Sequence, residues 1–181
     1  MRIGSYDTTL PRAALSLIAG AAAGASLIAL WYLWGTAQNL GIQYVLDYGV
    51  IPTTLVFIEA LVVWSVGLTI FGLPFWWLLH RLGWRHWLVA VALGAVLTFL
   101  VDFGIETRFL ELIPPPANSA YSASDSGGPT VIASHLTLHG WWVTFRAALL
   151  LGAEGVLVAL VIWRIAYRRD DGVSKLAAKS Y

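Results

Sequence analysis

From Ala13 to Trp34 the chain runs for 22 residues without an Asp, Glu, Lys, Arg or His. A helix needs about 20 such residues, at 1.5 Å each, to cross the roughly 30 Å of hydrocarbon in a bilayer. Further long apolar runs extend over Ile51 to Leu79, Trp87 to Phe109 and Trp141 to Trp163. They are continuous rather than alternating, which excludes the strands of a membrane barrel. The expected fold is all-α: a polytopic membrane protein with four transmembrane helices in one antiparallel bundle. Its spans cover about 13–34, 51–79, 87–109 and 141–163, with an external loop 110–140 and a cytoplasmic tail 164–181.

Composition points the same way. Hydrophobic residues make up 59% of the chain and charged residues 12%, against about 45–50% and about 25% in a soluble domain. Mean hydropathy is +0.74. Too little polar surface remains to cover a soluble enzyme, and far too much apolar mass for a disordered tail. A net charge of +1 supplies no basic field for a nucleic acid. The absence of cysteine removes disulfides, thiolate metal sites and cysteine lipidation. No motif calls for a cofactor.

Arg2, Arg12 and the run Ala21-Ala22-Ala23 also fit a signal peptide with a small-residue cleavage site. Against that, the apolar run continues through Leu27-Ile28-Ala29-Leu30-Trp31, and cleavage would leave three spans. Orientation follows from Lys and Arg in the short loops. The N-terminal arm carries Arg2 and Arg12, the turn between the second and third spans Arg81 and Arg85, and the tail Arg164, Arg168, Arg169, Lys175 and Lys179. The loops 35–50 and 110–140 carry neither Lys nor Arg. Both termini are therefore expected in the cytoplasm of a cell with a bacterial-type inner membrane. Aromatic rings with a polar edge collect at both boundaries: Trp31, Tyr32, Trp34, Tyr44, Tyr48, Trp141 and Trp142 outside, Trp76, Trp77, Trp84, Trp87, Trp163 and Tyr167 inside. Trp64 falls in mid-span and reads as packing.

Small residues recur at four-residue spacing in the first span (Ser16, Gly20, Gly24) and in the fourth (Ala148, Gly152). Such stripes let helix backbones approach closely. The partner is either another helix of the same bundle or a helix of a second subunit.

Ionisable residues inside the spans are the best candidates for function: Glu59, Asp102, Glu106, Arg146 and Glu154. Asp102 and Glu106 lie four apart on one helix face. With the third and fourth spans antiparallel, Arg146 comes level with them, and a guanidinium–carboxylate pair would satisfy both partners. Glu59 and Glu154 have no evident cation. They read as neutral acids bonded to backbone carbonyls, as a proton or cation site shared with Asp102, or as contacts to a partner subunit.

His80 and His86 flank the basic turn and read as interfacial anchors. His135 and His139 have the i, i+4 spacing of two ligands on one helix face, with Asp125 and Glu111 as weak further metal candidates. No glutamate follows His135, so the zinc-protease pattern is absent. No histidine lies deep enough in two facing spans to bind haem. The stretch 113–130, opening on Pro114-Pro115-Pro116, reads as a short polyproline element and then a flexible polar loop. No nucleophile–base set is visible. The leading expectation is a non-catalytic subunit or assembly partner that meets another membrane protein, or itself, through its helices. A proton- or ion-coupled transporter or channel is the alternative, and a membrane-embedded lipid-modifying enzyme is weaker. Four spans with short turns are too common a shape to name a family.

Overall fold

A computed structural model describes residues 6–107, 122–132 and 135–169. Glu111, the polyproline element, the end of the third apolar run and the tail from residue 170 lie outside the described residues. The chain is mostly helical, in the order β1 (Tyr6–Asp7), α1 (Leu10–Leu40), α2 (Ile42–Tyr48), α3 (Val50–Gly67), a π turn (Leu68–Gly72), α4 (Leu73–Arg81), α5 (Trp87–Glu106), β2 (Ala123–Asp125), β3 (Gly128–Ile132), β4 (His135–Leu136), α6 (Leu138–Ala166) and β5 (Arg168–Arg169). Four helices are long and apolar enough to cross a membrane: Leu10–Leu40, Val50–Arg81, Trp87–Glu106 and Leu138–Ala166. Two compact units divide the chain, one of Met1–Val91 with Leu157–Tyr181, the other Ala92–Val156.

Local chemistry sets the helix ends. Pro11 sits in the first turn of α1, where its missing N–H costs nothing. Gly41 ends that helix with φ +88°, a conformation that only glycine adopts freely. Gly83 (φ +76°) ends α4: the Trp84 N–H bonds to the Leu79 carbonyl at 2.9 Å and the Gly83 N–H to the His80 carbonyl at 3.2 Å. This paired C-cap satisfies two orphan carbonyls and reverses the chain within a few residues. Between α3 and α4 the helix continues through the π turn, where the Leu73 N–H reaches the Leu68 carbonyl, five residues back. Pro74 follows directly. It has no N–H to give, and its ring crowds the carbonyl four residues before it. Thr137 caps α6: its Oγ1 accepts from the Gly140 N–H at 3.0 Å and donates to the Pro129 carbonyl at 2.5 Å.

In the unit of Met1–Val91 and Leu157–Tyr181, α1 packs along α3 and α2. The buried positions of α1 are Ser16, Gly20, Ala21, Gly24, Ala25 and Ala29, all small. Leu15, Ile18, Leu30 and Trp31 point outward. Small residues inside and large apolar ones outside is the distribution expected where lipid, not water, surrounds the helices. In the same unit β1 pairs antiparallel with β5, Tyr6 opposite Arg169.

In the unit Ala92–Val156, α5 and α6 run in opposite directions: Trp141 meets Phe103, Phe145 meets Phe99 and Phe103, and Gly155 meets Gly94 and Thr98. Strands β2, β3 and β4 form a three-stranded antiparallel sheet in that order. This corrects the reading of a flexible polar loop as far as residues 123–130 are concerned. The turn residues Asp125-Ser126-Gly127-Gly128 close a hairpin, with the Gly127 N–H bonded to Asp125 Oδ1 at 2.7 Å and Gly128 at φ +130°.

Candidate functional site

The small-residue stripe of α1 is filled by the chain itself. A Cβ at Gly20 would lie 2.5 Å from the Ile162 side chain, and one at Gly24 would run into the Trp64 ring. Ser16 is buried and turns its Oγ to the Ala13 carbonyl at 2.7 Å. On α6, Ala148 is fully buried, and a Cβ at Gly152 would touch the Ala95 carbonyl and Phe99 of α5.

The intramembrane charges fall off these seams. In the unit Ala92–Val156 the residues of α6 that meet α5 or are buried are Gly140, Trp141, Thr144, Phe145, Ala148, Gly152 and Gly155. Arg146 comes one residue after Phe145, about 100° around the helix, and its side chain is exposed. Glu106 is exposed as well, and Asp102 is half-buried. Among the described residues no ion pair joins Arg146 to Asp102 or Glu106; the ion pair present is His139 with Asp125. The expected guanidinium–carboxylate pair does not form because level is not enough: the side chains must also share a face. Asp102 Oδ2 and Glu154 Oε2 are buried without a hydrogen-bond partner among the described residues. The α5–α6 register sets these two carboxyls at different levels. Asp102 lies beside the Phe103–Phe145 contact and Glu154 beside the Gly155–Thr98 contact, about 10 Å apart along the axes. Glu59, on α3 of the other unit, precedes buried Ala60 and is exposed.

Two polar clusters lie outside the long helices or at their ends. At the end of α6, Tyr167 is buried and shares a 3.1 Å hydrogen bond with His80 Nδ1. Trp76 stacks on His80 at 5.5 Å between ring centres, and the Trp163 Nε1–H donates to the Arg85 carbonyl at 3.0 Å. Burial pushes the Tyr167 phenol above its ordinary range, against the opposing pull of Arg85. The sequence offered only an aromatic belt here; the contacts tie the α4–α5 turn to the end of α6.

At the other end of α6, the His139 Nε2–H donates to Asp125 Oδ1 at 2.8 Å, which holds the hairpin turn over the helix start. That bond, followed by the one from Gly127, keeps the Asp125 carboxyl below its ordinary range. His135 stands on β4, before the Thr137 cap, so the two histidines do not share a helix face. Among the described residues no three His, Cys, Asp or Glu side chains gather as a metal site would require.

An open apolar groove of about 470 Å³ lies where α1, α2 and α3 meet, lined among others by Ala29, Leu33, Val45, Gly49 and Phe57. Thr53 and Thr54 are its polar lining residues, and none of the described residues that line it is ionisable. Among the described residues the arrangement offers helix contact surfaces and separate charges. No family model, curated protein or solved structure matches this chain.

Proposed function

We propose that this chain is a non-catalytic subunit or assembly partner of a membrane complex, a four-helix antiparallel bundle in a bacterial-type inner membrane with both termini in the cytoplasm. The observation that carries the reading is the exposure of Glu59 and Arg146 on apolar helix faces, each without an ion-pair partner among the described residues. In a lone bundle those faces meet lipid, and a charged side chain inside a span is costly there, up to about 2.5–3.5 kcal/mol at the span's centre on the lenient insertion scale. A partner helix that pairs or solvates them removes that cost. The antiparallel pairing of the flanks of α1 and α6 through β1 and β5 supports an even number of crossings.

The partnerless oxygens of Asp102 and Glu154 favour a second reading, in which buried acids carry protons or cations. Their separation along the α5–α6 axes weighs against one shared site. Native electrophoresis of membranes solubilised in mild detergent separates the two. The subunit reading expects a particle of at least twice the 19.7 kDa chain, and no change in the proton permeability of proteoliposomes on Glu154→Gln. A monomer whose proton leak falls with Glu154→Gln would replace it with the transport reading.

A further inference from the structure

Between Glu59 and Asp102 the chain carries no Asp or Glu, and its cations there are Arg81 and Arg85. Both stand at the reversal between two helices apolar enough to cross a membrane, the level at which a bilayer presents its headgroups. The turn is held in one shape. Gly83 closes the C-cap of α4, the Arg85 carbonyl accepts the Trp163 Nε1–H at 3.0 Å, and His80 shares its 3.1 Å hydrogen bond with Tyr167. Arg81 is exposed, yet its Cζ lies 5.3 Å from the centre of the Trp77 ring, a cation–π contact that fixes where the guanidinium stands. No carboxylate pairs with Arg81 among the described residues. Around these cations Trp77, Trp84 and Trp87 are 54%, 61% and 42% exposed. All of these groups belong to the unit of Met1–Val91 and Leu157–Tyr181.

We propose that this turn is a binding site for an anionic phospholipid, with Arg81 and Arg85 on the phosphate and the exposed indoles against the glycerol and the upper acyl chains. A guanidinium presents parallel N–H donors that fit two phosphate oxygens. The lipid must carry net negative charge: a zwitterionic headgroup brings its own ammonium, and the turn holds no acid to meet it. A soluble phosphate would satisfy the arginines but has no use for three exposed indoles, whose polar-edged rings favour the headgroup level. Fixed cations also differ from a basic tail. A mobile tail is drawn to the whole anionic surface, whereas a turn pinned at Arg85 and Trp77 loses little freedom when one lipid settles on it. The site needs no second protein, so it stands or falls apart from the subunit reading above.

The full chain, purified in neutral detergent, is titrated with dioleoyl phosphatidylglycerol and with dioleoyl phosphatidylcholine, and native mass spectrometry counts the lipids retained. Phosphatidylglycerol should bind about tenfold or more tighter, since one Arg at an anionic lipid surface is worth about fivefold. Arg81→Gln and Arg85→Gln should each weaken phosphatidylglycerol about fivefold and leave phosphatidylcholine as it was. Thermal unfolding checks that both variants keep the fold, which the exposure of Arg81 favours. Arg164→Gln removes the same charge at an exposed position beside Trp163 and should change either affinity less than about twofold. Millimolar inorganic phosphate should not displace the lipid. Equal affinity for the two lipids, or a loss on Arg164→Gln as large as on Arg81→Gln, overturns the site and leaves only diffuse attraction to an anionic surface. Displacement by inorganic phosphate overturns the lipid as ligand in favour of a soluble anion.

Discussion

At the scale of single residues, the glycines of α1 are not equivalent. A Cβ at Gly24 meets the Trp64 ring, whereas one at Gly35 meets nothing within 4 Å. Gly24→Ala should therefore cost about 1–3 kcal/mol through overpacking. Gly35→Ala should gain about 0.5–1 kcal/mol by stiffening the helix. Leu30→Val, at a side chain 61% exposed, should change little. Thermal unfolding in detergent ranks the three. Asp125 gives a pH signature. Its carboxyl is held below the ordinary range, first by the His139 hydrogen bond. The unfolded chain therefore takes up this proton before the folded chain does. The contribution of the pair is complete above the ordinary carboxylate range and drains away as pH falls through the lowered folded value. Hydrogen exchange at Gly127 should accelerate over that acid window, and Asp125→Ala should produce the fast rate already at neutral pH.

At the scale of elements, Thr137 does two jobs at once, capping α6 through Gly140 and bonding β3 through Pro129. Thr137→Val should cost about 1 kcal/mol and loosen β4, while Thr137→Ser should keep both bonds; thermal unfolding and backbone exchange read the difference. The long helices were legible because span length is a one-dimensional property of the sequence. The run read as 13–34 is the core of a helix over Leu10–Leu40, and 141–163 the core of Leu138–Ala166. The margins were missed because polar residues continue a helix once its backbone bonds are running. Helix α2, seven residues between Gly41 and Gly49, is too short to leave a hydropathy signal. The hairpin was readable in Asp125-Ser126-Gly127-Gly128, a turn sequence hidden in a polar stretch. The direction in which Arg146 points was the hardest part of the site. Depth follows from counting residues, but azimuth depends on which residues the neighbouring helix claims, here Phe145 and Gly152.

At the scale of the whole molecule, topology is the sharpest expectation. Reporters fused after Tyr181 and within the turn at Arg85 should both read cytoplasmic, and one at Ser124 external, because Lys and Arg in short loops hold those loops inside. A cytoplasmic signal from Ser124 would reverse the orientation. The charge that sets orientation is confined to the arm, the turn and the tail. Altering it there should matter more than any change within the spans: Arg81→Glu with Arg85→Glu should yield mixed topologies, visible as a protease-accessible fraction on both sides.

The π turn at Leu68–Gly72 makes the second span a matter of phase as well as length. An α-helix advances about 100° per residue, and a π turn holds one residue more than an α turn. Everything downstream is rotated by that one step. Upstream, Trp64 faces Gly24; downstream, Trp76 and His80 meet Tyr167. Deleting Ile70 would leave a span of ample length and nearly the same hydropathy, and the chain should insert as before. Its lower half would be dialled about 100° away, so that Trp76 and His80 faced elsewhere and Tyr167 lost its cover. The bilayer, which measures only length and greasiness, would accept a helix that its own neighbours could no longer mesh with.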